Sequence, residues 1–443
     1  MHNHYINTKE YKMDNLNLEI SHLVKLCNEK SFDKALIEFK SLIKKNVKDP
    51  ILYNLGGVIN VSLKNFEDAI DCFSKSLKIN PNYAEANNNM GALLKTIGRT
   101  KDSVAYFEKA ISIKPNFSNA YNNLGASYNA MGKWDLALEN YHKCLKINPN
   151  EKDSSNNLIN LLTFYEPEKE DLNSITKTNS LLKKNNFIFN EKKQITDNQV
   201  INYFNTANNI VLKNLNETEY NFTEIFRKNT TNLNCKRHFE VFNKFNIIPE
   251  FCFSCYKVQV EPKNIIDLIK LYIVFDKLNL NKNNSRKSFI EVRPNIGGAY
   301  KGLIYCTGLE EAEKIENLIT PIIKTVINNE TPISIKRGCS EFAISYPKYK
   351  DKKSSMEYEK PWKEKENIID KQQLNKEEII LKDTITGFAL NDFLIMKNWM
   401  MYAKKINDIN YQKFDYDINI SKYMEWELSR QIEFRKNQYN KKH

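Results

Sequence analysis

The residues of this 443-residue chain best suited to chemistry lie between positions 235 and 341. Cys235, His238, Cys252 and Cys255 follow the spacing C-x2-H-x13-C-x2-C, and thiolate plus imidazole at such intervals is a donor set for tetrahedral zinc. If 251–260 is one β-strand, however, Cys252 and Cys255 stand an odd number of residues apart and point to opposite faces, which bars them from one ion. A redox Cys-x-x-Cys opens a helix whose N-terminus lowers the thiol pKa, whereas the residues after Cys255 alternate like a strand. The expectation is two small, half-buried cysteines at a strand start, with no metal and no cofactor. Zinc on Cys235, His238, Cys252 and Cys255, and a nucleophilic cysteine, stay open as alternatives.

Periodicity defines the elements that must position these residues. Alternation marks strands over 251–260, 287–293, 300–306 and 332–337, and helical periodicity marks 263–279 and 310–328. The order β-α-β-β-α-β is that of a ferredoxin-like sandwich, an antiparallel sheet with both helices on one face. In that topology the end of the fourth strand lies beside the start of the first, and the turn between the second and third strands is expected at the same end. Cys252, Cys255, Arg293, Tyr300, Lys301, Arg337, Cys339 and Glu341 are then expected along one rim. Arginine there points to recognition of an anion, and the glycines of "RPNIGGAYKG" permit close approach of a ligand to backbone. This α+β domain is expected over 235–346, followed by a charged segment and C-terminal helices over 347–443. The segment "GFALNDFLIMKNWMMYAKKI" is the expected cover for the apolar helix from Lys263.

A repeat governs the N-terminal third. The stretches "YNLGGVINVSLKNFEDAIDCFSKSLKINPN", "NNNMGALLKTIGRTKDSVAYFEKAISIKPN" and "YNNLGASYNAMGKWDLALENYHKCLKINPN" place Pro81, Pro115 and Pro149 at intervals of 34. Gly57, Gly91 and Gly125 share the interval, as do Phe73, Phe107 and Tyr141. This pattern resembles the tetratricopeptide repeat family over 16–165: a degenerate repeat around Ala35, three clear repeats, and a capping helix in "SSNNLINLLTFY". The resemblance implies an all-α superhelix with a concave groove for a protein or peptide partner. Asn54, Asn88, Asn122 and Asn156 recur in the same register, beside Asn89, Asn123 and Asn157. Carboxamides in such a ladder can donate to and accept from the backbone of an extended peptide. The ladder is similar to that of O-linked N-acetylglucosamine transferases, where it holds peptide backbone. The plain alternative is that Asn is simply abundant in this chain.

The net charge of +12 comes mostly from lysine in a chain also crowded with Asn and Ile, which reads as genome composition rather than a basic recognition face. Nucleic acid is not an expected partner. "KGLIY" at 301–305 has Leu303 and Ile304 where an RNA-recognition motif has an aromatic and a small residue, although Phe253 and Tyr305 on an open sheet with Lys257 and Arg293 would offer stacking for bases. No P-loop, G-x-G-x-x-G or H-E-x-x-H occurs. With no signal-peptide core and no long apolar span, the expected location is cytoplasmic with no membrane partner. Residues 166–234 read as a helical connector without chemistry. The expected protein is an adaptor that binds a peptide in its repeat groove and carries an α+β domain of unknown activity. Two alternatives accompany it: an enzyme acting at the Cys/Arg rim on what the repeats recruit, and an RNA-binding domain.

Overall fold

A computed structural model describes residues 15–45, 48–169, 171–215, 220–292, 296–352, 354–373 and 380–414, with 425, 426, 429 and 433. The chain divides into two compact units, Met1–Asn157 with Asn375–Ile380, and Leu158–Leu374 with Leu381–His443. Among the described residues no helix is long and apolar enough to cross a membrane.

The first unit is built from α1 (Asn15–Asn28), α2 (Phe32–Lys44), α3 (Pro50–Ser62), α4 (Phe66–Ile79), α5 (Ala84–Thr96), α6 (Thr100–Ile113), α7 (Ser118–Ala130), α8 (Trp134–Ile147) and the start of α9 (Lys152–Leu161). Consecutive helices pack as the pairs α3–α4, α5–α6 and α7–α8. One contact, repeated, explains the glycine and aromatic periods together. A Cβ on Gly57 would lie 2.3 Å from the Phe73 ring, on Gly91 2.7 Å from Phe107, and on Gly125 2.8 Å from Tyr141. Mid-helix glycine costs about 1 kcal/mol of helix propensity relative to Ala, and burial of a whole aromatic ring against it offsets that cost. The turns inside the pairs repeat as well. Lys30, Lys64, Gly98 and Gly132 all take positive φ (58°, 63°, 89° and 72°), so the degenerate first repeat keeps the register with lysine in a conformation that glycine adopts freely.

The second unit contains α10 (Ser174–Lys184), α11 (Asp197–Asn214), β1 (Glu224–Arg227), α12 (Cys235–Phe245), β2 (Tyr256–Val260), α13 (Ile265–Lys277), β3 (Arg286–Ile290), β4 (Tyr300–Cys306), α14 (Leu309–Val326), β5 (Ile333–Arg337), α15 (Ser340–Ser345), α16 (Trp362–Gln373) and α17 (Leu390–Lys405). The strands form one antiparallel sheet in the order β1-β3-β4-β2-β5. Helices α13 and α14 pack on the sheet, and α11 and α17 pack on α13. Residues 265–276 of α13 are buried all round, as its apolar circumference requires.

Three sequence expectations change. Residues 251–255 are not strand: a 3-10 turn, Glu250–Phe253, comes first, with Cys252 N–H donating to Pro249 O at 2.9 Å and Cys255 N–H to Cys252 O at 3.3 Å. A fifth strand, β1, lies in the segment expected as a connector and pairs Phe226 with Lys287. The rim is also divided. β2 and β3 are both antiparallel to β4, so they run the same way, and the β3–β4 turn falls at the far end of the sheet from β2's start. Tyr256 pairs with Cys306 and Arg337, whereas Val260 pairs with Gly302 and Ile290 with Tyr300.

Buried charge ties β1 to the helices. Arg227 donates to Asp276 on α13 at 2.7 Å and to Asp392 on α17 at 2.8 Å, and the Tyr272 hydroxyl donates to Asp392 at 2.9 Å. Burial alone would raise the Asp276 carboxyl, but Arg227 and the Gly387 amide outweigh it and hold the group below its ordinary value. Arg227→Leu leaves two buried carboxylates without their cation and is expected to cost about 3–5 kcal/mol, read by urea denaturation of the full chain. Because the folded pKa of Asp276 is depressed, its contribution is complete above the unfolded carboxyl value of about 4 and is lost as pH falls below it. The wild type should therefore lose stability through that acid window more steeply than Arg227→Leu.

Candidate functional site

Six of the seven ladder asparagines are joined in one row along α3, α5, α7 and α9, while the Asn156 Oδ1 is buried without a hydrogen-bond partner among the described residues. Asn89 Nδ2 donates to Asn54 Oδ1 at 3.0 Å, Asn123 Nδ2 to Asn88 Oδ1 at 2.9 Å, and Asn157 Nδ2 to Asn122 Oδ1 at 3.0 Å. The rungs link the first asparagine of one pair to the second of the next, so they bridge successive repeats. Asn54, Asn88 and Asn89 are buried, while Asn122, Asn123, Asn156 and Asn157 are half-buried. A carboxamide offers two donor hydrogens and two lone pairs, so each rung leaves capacity unused.

The second unit holds a cavity of about 440 Å³ over the sheet face opposite α13 and α14, within the range of roughly 300–1,000 Å³ usual for ligand sites. Strand alternation builds its floor: Glu224 and Phe226 from β1, Lys287 and Phe289 from β3, Lys301, Leu303 and Tyr305 from β4, Lys257 and Gln259 from β2, and Lys336 from β5. Segments 231–235 and 338–341, Phe239 of α12 and residues 381–382 complete the wall. Two floor lysines have carboxylate partners, Lys287 with Glu224 at 2.6 Å and Lys301 with Glu291 at 3.2 Å. Burial draws the Lys301 ammonium down to about 8 against the pull of Glu291. Lys257, 8% exposed, places Nζ 3.2 Å from Cys339 Sγ and 5.2 Å from the centre of the Tyr305 ring. Burial alone would lower its pKa, but Cys339, Tyr305 and Cys255 outweigh that and raise it above the ordinary lysine value.

Of the residues expected on one rim, Lys301, Cys339 and Glu341 meet at this cavity. Tyr300 does not: it faces the helices and donates to Asp408 Oδ2 at 2.9 Å, the same oxygen that accepts the Ile265 amide at the start of α13. Arg337 packs its guanidinium against Phe253 and Tyr349, at 5.3 and 5.1 Å from the ring centres, and donates to Phe253 O at 3.2 Å. These contacts brace the half-buried Arg337 side chain against the turn before β2. Arg293 lies outside the described residues. Phe253 joins Tyr349, Tyr358 and Trp362 in an aromatic cluster away from the sheet's open face.

Cys235, His238, Cys252, Cys255 and Cys339 border a small apolar void of about 10 Å³. Among the described residues, no group of three or more His, Cys, Asp or Glu side chains is arranged to hold a metal ion. Burial pushes the Cys252 thiol up and the Cys255 thiol to about 11. Burial and the Arg237 charge together draw His238 down to about 4, and its ring stacks on Phe251 with centroids 5.1 Å apart. Sequence reasoning missed Glu224, Phe226, Lys287, Phe289 and Glu291. The alternation of "KSFIE" was the available signal for the last three, and the four-residue β1 carried none.

Two tetratricopeptide repeat models match residues 84–117 and 118–151, and a TPR repeat model matches 57–98. The N-terminal region is a tetratricopeptide repeat array, a class of protein–protein interaction scaffold. Solved structures similar to it include MamA 41-end from Desulfovibrio magneticus RS-1, 23% identical, covering 34% of this chain and 85% of that one at a TM-score of 0.31. PilF of Pseudomonas aeruginosa is 19% identical over 33% of this chain and 67% of its own, at 0.32. The first TPR of Spaghetti (RPAP3), bound to the HSP90 peptide SRMEEVD, is 19% identical over 26% and 90%, at 0.25. No curated protein matches the chain.

His238 provides a pH test of this region. Its folded pKa is depressed, so the unfolded chain binds a proton that the folded chain refuses between about 6.5 and about 4. Stability should fall by at most about 3 kcal/mol as pH drops through that window. Chemical denaturation at pH 7 and pH 5 should show the loss, and His238→Gln should flatten it.

Proposed function

We propose that the repeat array captures an extended peptide by its backbone along the asparagine row, making the protein an adaptor whose second unit is a ferredoxin-like sandwich widened by β1. The observation that carries the reading is the row itself. Six carboxamides on α3, α5, α7 and α9 stand in line, and their three mutual bonds fix the side-chain directions while leaving further donors and acceptors. Preorganised amides of this kind suit a polar backbone better than any particular side chain. The order β5-β2-β4-β3, with α13 and α14 as the crossovers, supports the name for the second unit. An RNA platform on the sheet is disfavoured, because its open face is walled over by 231–235 and 338–341 and Phe253 is absent from it.

The test is selection of binding peptides from a random library against the full chain, followed by N-methylation of single peptide bonds in a selected sequence. Backbone capture predicts that N-methylation at the contacting positions weakens binding at least tenfold, while alanine at the same positions is tolerated. Asn123→Ala with Asn157→Ala should remove binding while far-UV circular dichroism keeps its helical signal, since Ala is the better helix former. Binding that survives both the double variant and N-methylation would sink the proposal.

A further inference from the structure

A buried ammonium without a carboxylate partner needs an anion. Lys257 is more than nine-tenths buried, lines the sheet cavity, and has no acceptor other than Cys339 within hydrogen-bond distance among the described residues. Stranding an unpaired ammonium in such a place costs several kcal/mol. Its neighbour across the strand pair, Lys336, adds like charge to the same face, since Lys257 and Lys336 are directly opposed in the β2–β5 register. The Cys339 sulfur, 3.2 Å from the Lys257 Nζ, is the group within reach of that charge. The cavity floor and walls carry six lysines, at 228, 257, 287, 301, 336 and 382, against three glutamates, at 224, 291 and 341. Its field therefore favours a negatively charged guest.

We propose that Cys339 and Lys257 form a thiolate–ammonium pair at the wall of this cavity, and that the thiolate is a nucleophile toward an electrophilic carbon carried by an anionic substrate. In the step, the sulfur lone pair forms the S–C bond while the bond from that carbon to its leaving group breaks, and the leaving group departs with the electron pair. No oxidant or reductant takes part. Lys257 is the positioning cation of the pair, and the cavity's excess of lysine over glutamate draws in the substrate's charge. This activity is separate from peptide capture by the repeats and is read by a different experiment.

The experiment treats the full chain at pH 7 with iodoacetamide or iodoacetate, each of which alkylates a thiolate with loss of iodide, and follows every cysteine by peptide mass spectrometry. Cys339 should react at least tenfold faster than Cys235, the exposed thiol on another wall of the same cavity. The ratio of iodoacetate to iodoacetamide rates should be severalfold higher at Cys339 than at Cys235. Lys257→Met should abolish both differences, whereas Lys257→Arg, which keeps the charge, should retain the rate advantage. Equal wild-type rates at Cys339 and Cys235 would overturn the nucleophile whether or not the variants fold, and so would an unchanged Cys339 rate in folded Lys257→Met. A fast Cys339 with no preference for iodoacetate would overturn the anionic substrate.

Discussion

The second unit depends on Arg227. Its guanidinium joins an edge strand to two helices by bonding Asp276 on α13 and Asp392 on α17, and its Nη2 also donates to Gly387 O at 3.0 Å. Charges this deep repay their desolvation only when their bonds are nearly complete, and here Tyr272 and the Gly387 amide supply the remainder. The constraint has a consequence on the other side of the sheet. With Arg227 and Ile225 turned toward the helices, alternation turns Glu224 and Phe226 outward, where they wall the cavity and meet Lys287. One four-residue strand thus anchors the helical layer with one face and shapes a ligand-sized space with the other.

The cysteine region is held by a second set of buried charges. Arg237 on α12 pairs with Glu366 on α16 and with Asp370 at 2.8 Å, and Glu366 also accepts the Glu250 amide at 2.9 Å and the Tyr358 hydroxyl at 2.7 Å. That set fixes the 3-10 turn before β2 and with it the direction in which β2 enters the sheet. Cys252 and Cys255 lie in a braced apolar corner, and the strand residue just beyond them, Lys257, is delivered to the cavity. The paired cysteines mark the place where the chain turns.

The parts of the structure legible in the sequence are those fixed by local physics. The 34-residue interval was legible because it is a glycine–aromatic contact that every repeat must make, and β4 was placed correctly at both ends because seven residues suffice to show alternation. Residues 251–253 of the turn fall within the strand expected over 251–260, because F-C-F alternates over too few residues for its backbone hydrogen bonds to be inferred. β1 escaped notice because "EIFR" is shorter than any periodicity, and the partners of Arg227 lie 49 and 165 positions away. The divided rim came from strand direction, since a crossover through α13 brings β3 back parallel to β2 and sends the next turn to the opposite end of the sheet.

Composition was a poor guide to polar function for a related reason. In a chain rich in Asn and Lys, neither residue type is informative until its environment is known. The ladder asparagines stand out because each rung places an amide against its counterpart one repeat away, a geometry that abundance alone does not produce. Lys257 and Lys301 stand out because they are 8% and 2% exposed, where the flexible stem and hydrated head of a surface lysine have no place. The two units accordingly use polar side chains in opposite ways. Neutral carboxamides, partly satisfied by each other, leave weak, directional capacity suited to a reversible partner such as peptide backbone. Buried ammonium groups leave a net charge that must be answered, and beside Lys257 the group within reach is a thiol.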